Sequence, residues 1–187
     1  MKIFSALILI TISLCAGLCC PEEKGFDNIF IENNDIIKIN GNKNTFNVGD
    51  KIYISVTINP LQTSSNNKMI NLLDLINFTN DSVPIYNSFS YKKETKYNTL
   101  SNIIINETDL EVLSGEISLN NEFIEIYSLN HNGNNFICEF GITLLETGVF
   151  YLSSSSFYVD GLSNTTISIA SKIKNSDINN RYRFEVN

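Results

Sequence analysis

Residues able to do chemistry are few in this chain. It has a single histidine, His131, and four cysteines. Nucleophilic catalysis needs a base beside a Ser, Cys or Thr, and His131 sits in Asn130-His-Asn-Gly-Asn-Asn135, where it reads as a solvated turn residue. The same scarcity argues against Cys/His metal sites. Oxygen ligands abound, with Asp27, Glu32, Asn33 and Asp35 in one group and Asp74, Asn80 and Asp81 in another. Neither group has the spacing and turn glycine of a calcium loop, so both read as solvated acidic edges. Glu122/Glu125 and Glu107/Asp109 are close in sequence, whereas a glycosidase would assemble its carboxylate pair from distant strands. The expectation is a protein that is not an enzyme and holds no metal or cofactor. Carbohydrate binding recruits exposed rings, Trp above all, and the chain has no Trp. Its tyrosines Tyr53, Tyr86, Tyr91, Tyr97, Tyr127, Tyr151 and Tyr158 could form a platform or simply pack on the faces of sheets.

Charge narrows the partners. The net charge is −7, and no Lys/Arg cluster exceeds Lys92-Lys93. Nucleic acid, whose phosphates require many cations, is therefore not an expected partner. Asn and Ile dominate the composition as AT-rich coding would have it, so the sequons at Asn77, Asn80, Asn106 and Asn164 are chance matches.

Positioning elements follow from periodicity. Met1-Lys2 and the apolar run Ile3 to Leu14 have signal-peptide length, too short for a membrane span; residues 1–19 read as that signal. Residues 20–34 read as a polar tether that joins the domain near Ile29, and residues 35–187 as one domain. Its centrepiece is Phe46 to Ile58. There a Gly49-Asp50 turn leads into Ile52, Ile54, Val56 and Ile58 on one face, with Tyr53, Ser55 and Thr57 on the other. Asp35 to Ile39 reads as a first edge strand, Gln62 to Lys68 as a polar loop, and Met69 to Phe78 as a strand, with a short helix the alternative. Val83 to Tyr91 follows as an alternating strand, Ile103 to Ile105 as a short buried run, and Glu111 to Leu119 as an alternating stretch around Gly115. Asn132-Gly133 predicts a hairpin between the strand at Phe123 to Tyr127 and the strand at Phe136 to Leu145. Val149 to Tyr158, Thr165 to Ile173 and Arg181 to Val186 complete the set. The count of about nine to eleven strands predicts an all-β antiparallel sandwich. Val48, Ile52, Ile54, Val56, Phe140, Ile142, Leu144, Phe150 and Leu152 are its expected core. Cys138 alternates with Phe136 and Phe140 and is expected inside as a free thiol; pairing with Cys19 or Cys20 is the alternative.

Two pieces resemble immunoglobulin-like domains of bacterial surface proteins. Phe46-x-Val-Gly-Asp50 resembles the usual entry to the second strand. Glu146-Thr-Gly148-Val-Phe150-Tyr-Leu152 resembles the tyrosine-corner pattern, with Phe150 in the usual Tyr place and Leu152 in the usual Cys place. Ala16-Gly-Leu-Cys-Cys-Pro-Glu-Glu23 resembles the lipobox of bacterial lipoproteins. That resemblance implies a diacylglycerol on Cys20, with Cys19 as second choice; a plain secretory cut after Gly17 is the competing reading. The whole resembles uncharacterised Bacteroidota lipoproteins, and Cys20-Pro-Glu-Glu23 resembles their tag for the outer face of the outer membrane. The implied function is a lipid-anchored envelope module that binds a protein or glycan. Alternatives are a purely structural envelope component, or a secreted soluble sandwich without an anchor.

Overall fold

Strands follow the alternation. The computed structural model describes residues 27–75, 85–120, 122–130, 134–160 and 165–187. The leader, Cys15, Cys19, Cys20, Glu22, Glu23, Phe26, Asn77, Asn80, Asp81, Val83, His131, the Asn132-Gly133 turn, Gly161 and Asn164 lie outside the described residues. In chain order the strands are β1 (Asp27–Glu32), β2 (Ile37–Ile39), β3 (Thr45–Phe46), β4 (Lys51–Ile58), β5 (Leu61–Thr63) and β6 (Met69–Asn71). One helical turn, α1 (Leu72–Leu75), follows. Then come β7 (Ile85–Glu94), β8 (Leu100–Asn102), β9 (Leu110–Ser114), β10 (Glu116–Asn120), β11 (Phe123–Asn130) and β12 (Phe136–Thr143). The last are β13 (Gly148–Ser154), β14 (Phe157–Asp160), β15 (Thr165–Ala170) and β16 (Arg181–Val186).

The protein is an all-β sandwich. One sheet runs β2-β4-β12-β9. The other runs β3-β16-β13-β7-β11-β10. A second branch, β14-β15-β1, leaves the same edge of β7 that β13 occupies. β4 pairs with β12, β7 with β13 and β13 with β16, and the chain changes sheet from β4 to β7 and from β12 to β13. β9 joins the first sheet before β10 and β11 return to the second, and Gly115, at φ +82°, is the corner.

Inner faces close on one core. Ile52, Ile54, Val56 and Ile58 of β4 and Phe136, Cys138, Phe140 and Ile142 of β12 are buried against Phe89, Phe150, Leu152, Phe184 and their neighbours. Phe89 meets Phe140 edge-on at 5.8 Å between the sheets. Phe150, in the place expected of a corner tyrosine, stacks against Tyr91 at 5.5 Å and Phe184 at 5.6 Å, whose own rings are 6.3 Å apart. Cys138 is a buried free thiol, as its alternation implied, and burial pushes it up to about 12.

Several expectations need correction. Sixteen strands occur among the described residues, because turns, bulges and short pairings divide runs that read as single strands. Two pairings, β1 with β15 and β3 with β16, are parallel. Asp27–Glu32, which read as part of the tether, is a strand whose Ile31 is buried. Val48 is 48% exposed, not core. The Asn47–Asp50 turn, closed by Asn47 N–H donating to Asp50 Oδ2 at 2.9 Å, throws Val48 outward after Phe46 has entered the core. The same hydrogen bond holds the Asp50 carboxyl below its usual range. Gln62 to Lys68 is not merely a loop: Leu61–Thr63 pairs with Met69–Asn71. Met69 to Phe78 starts as that strand, turns helical at Leu72–Leu75, and then leaves the described residues. Ile103 to Ile105 is no buried run, since Ile104 is 74% exposed while its neighbours pack on the core from outside. The pairing expected of the hairpin is present: on either side of the Asn132-Gly133 turn, itself outside the described residues, β11 and β12 pair antiparallel at Leu129↔Ile137 and Asn130↔Phe136, and then enter separate sheets.

Candidate binding face

One register row on the outer face of the second sheet collects three of the tyrosines. β7 alternates strictly, with Ile85, Asn87, Phe89 and Tyr91 buried and Tyr86, Ser88, Ser90 and Lys92 on the other side. On β11, Ile124 and Ile126 point in, leaving Phe123, Glu125 and Tyr127 outside. On β14, Phe157 and Val159 are buried and Tyr158 is exposed. The register aligns Tyr158 with Tyr86 and Tyr86 with Tyr127, one row across three adjacent strands. At about 4.8 Å per strand, the row spans roughly 10 Å. It continues outward to Ser168 and Phe30 on one side and to Glu116 on the other. Tyr86 and Tyr158 are 38% and 40% exposed, and their ring centroids lie 5.8 Å apart with planes tilted by 31°.

A one-residue bulge puts Tyr158 there. Phe89 to Tyr86 is three positions on β7, but their partners Ser154 and Tyr158 are four positions apart. The extra residue falls in Ser155-Ser156, between β13 and β14. β13 buries the even-numbered Phe150 and Leu152; after the bulge β14 buries the odd-numbered Phe157 and Val159. A bulge shifts every later side chain to the opposite face. Ser155 fills the break itself. Its N–H donates to Ser88 O at 2.9 Å, and its Oγ accepts from Ser88 N–H at 3.2 Å and Ser88 Oγ at 3.1 Å. Its carbonyl accepts from Asn87 Nδ2 at 2.6 Å.

Beside the row is a cleft of about 350 Å³, lined by Tyr86, Asn87, Ser88, Glu125, Tyr127, Ser155 and Tyr158. Asn87 is only 2% exposed, and its Oδ1 has no hydrogen-bond partner among the described residues. Tyr127 donates to Glu125 Oε2 at 3.4 Å. Partial burial, then the Glu125 charge, raises the Tyr127 phenol, so it stays a protonated donor at neutral pH. The chemistry available on the outer face is aromatic rings, hydroxyls and one carboxylate.

The other sequence candidates do not join this site. Tyr91 is core, and burial raises its phenol far above the ordinary value. Tyr97 is 74% exposed in the turn after β7. Tyr151 donates to Glu94 at 3.1 Å and lies under the Arg181 guanidinium. Tyr53 lies on the opposite sheet, its ring across Gly141, where a Cβ would come within 2.7 Å of it. It donates to Glu111 at 2.8 Å, as does Lys51, so the Glu111 carboxyl falls below its usual range and the Tyr53 phenol rises. This trio ties β4 to β9 over β12. Of the acidic groups, Asn33 Oδ1 accepts from Asp35 N–H at 3.1 Å, and Asp109 accepts from Asn106. No three His, Cys, Asp or Glu side chains among the described residues gather in a metal-binding arrangement. Sequence reasoning finds Glu125 only as half of a pair with Glu122, and it misses Ser88 and Ser155. The run Ser153 to Ser156, poor in strand formers, is the one signal that could find the bulge.

No protein-family model matches the chain, and no curated protein matches it.

Proposed function

We propose that the protein is an interaction module of the bacterial cell envelope, tethered by a lipid on Cys20 (Cys19 is the second choice), that binds a partner through the outer face of the β7 sheet. The observation that supports this reading is the Tyr158–Tyr86–Tyr127 row beside its cleft. Large rings with polar tips, left accessible in one contiguous row, suit recognition better than isolated exposed rings do. The anchor reading rests on the resemblance of Ala16 to Glu23 to a lipobox; two or more acyl chains, at about 0.8 kcal/mol per buried CH₂, would hold the protein at a membrane where one chain would be marginal. The outer membrane is the proposed location, and the role is binding rather than catalysis.

Two experiments test it. Purified envelope is incubated with the wild-type chain and with Tyr86→Ser; retention should fall at least tenfold in the variant, with circular dichroism unchanged. Equal retention would remove the face from the reading and favour a structural component. Separately, Cys20→Ser should move the protein from the membrane pellet to the soluble fraction without unfolding the sandwich. If Cys19→Ser does so instead, Cys19 carries the lipid; if neither does, the anchor is wrong.

A further inference from the structure

We infer that the ligand of the tyrosine face is a neutral saccharide, an inference that rests on the binding-face reading above. Three observations select this chemistry.

The first is shape. Tyr158, Tyr86 and Tyr127 stand side by side on one sheet face rather than around a space. An aromatic cage for a quaternary ammonium surrounds its cation with rings; a row offers a platform. Each ring face is electron-rich and attracts partly positive C–H groups, which a pyranose presents on its flat side. A saccharide lying across the strands meets one ring per strand, and Phe30, in the same row and 48% exposed, extends the track.

The second is hydrogen bonding. The cleft offers the Ser88 and Ser155 hydroxyls, the Glu125 carboxylate and the Tyr127 phenol. A carboxylate only accepts, while hydroxyls both donate and accept. A ligand rich in hydroxyls satisfies all of them. A volume of about 350 Å³ falls at the lower end of small-ligand sites, about 300–1,000 Å³.

The third is charge. Glu125 is the only charged residue lining the cleft, and Glu116 abuts Tyr127 in the row. Lys92, on the same face of β7, is six residues from Tyr86, about 20 Å along the strand. Among the described residues that line the cleft, a uronic acid or a phosphorylated sugar would face a carboxylate with no cation to pair with.

The test is a glycan array of neutral and anionic oligosaccharides probed with the full chain, followed by titration calorimetry. One or more neutral oligosaccharides should bind; Tyr86→Ser and Tyr158→Ser should each weaken binding at least tenfold, and Tyr53→Ser, on the opposite sheet, should leave it unchanged. Trigalacturonate should not bind the wild type but should bind Glu125→Lys, a variant that keeps the rings. If no neutral glycan binds while Tyr86→Ser still loses envelope retention, the face takes a protein and the saccharide inference is overturned while the module survives. Wild-type preference for trigalacturonate overturns it as well. If Tyr86→Ser changes neither glycan binding nor retention, the binding face itself is wrong.

Discussion

Tyr158 stands opposite Tyr86 on the outer face although it lies eight residues after the inward-pointing Phe150. Unbroken alternation would have put both on one side. The Ser155-Ser156 bulge reverses the parity, and the Ser155 hydroxyl accepts the Ser88 N–H where the ladder is interrupted. Ser155→Ala should therefore cost about 0.5–1.5 kcal/mol in urea unfolding, the usual worth of one such hydrogen bond. A loss no greater than that of Ser153→Ala, which removes only the hydrogen bond with Ser90 Oγ, would show that Ser155 does not hold the break.

Gly115 is the corner between the sheets and has no room for a side chain. A Cβ would lie 2.8 Å from Tyr127 O and 2.9 Å from both Cβ and Sγ of Cys138, at a backbone angle that L-residues avoid. Gly115→Ala should cost at least about 2 kcal/mol from strain and overpacking together. Adding Cys138→Ala should restore only part of that, because the Tyr127 carbonyl and the positive φ remain. Full restoration in the double variant would assign the whole cost to the thiol.

Cys138 should be unreactive while the fold persists. With the thiol pushed up to about 12 by burial, thiolate is scarce at pH 8, so Ellman's reagent should label it only after unfolding. The linkage has a definite sign. Above about pH 9 the unfolded state loses this proton and the folded state keeps it, so stability falls as pH rises toward 12. Cys138→Ala should show a shallower fall between pH 9 and 11; identical slopes would mean that other groups account for it.

Ile54 is fully buried at the centre of β4, opposite Phe140. Ile54→Ala should cost about 2–4 kcal/mol through lost transfer energy and the cavity left behind. Against a domain stability of about 5–15 kcal/mol that is a large share. Chemical denaturation measures it, and a loss below about 0.5 kcal/mol would contradict the inward register of β4.

Alternation alone determined much of this protein. Ile52 to Ile58, Phe136 to Ile142 and Tyr182 to Val186 each bury one side in the register their spacing implied, because a pleated strand has a fixed period of two. The Gly49-Asp50 turn was equally legible, since its geometry depends on residues adjacent in sequence. Val48 shows the limit: whether the residue before a turn enters the core depends on where the neighbouring sheet lies. β1 and β15 pair in parallel across more than 130 positions of chain, and no local signal encodes that. The tyrosine row belongs to the same class. Tyr86, Tyr127 and Tyr158 could each be named as surface rings from the sequence. Their alignment needed two strand registers and a bulge, which are fixed only when side chains from distant strands compete for the same interior volume.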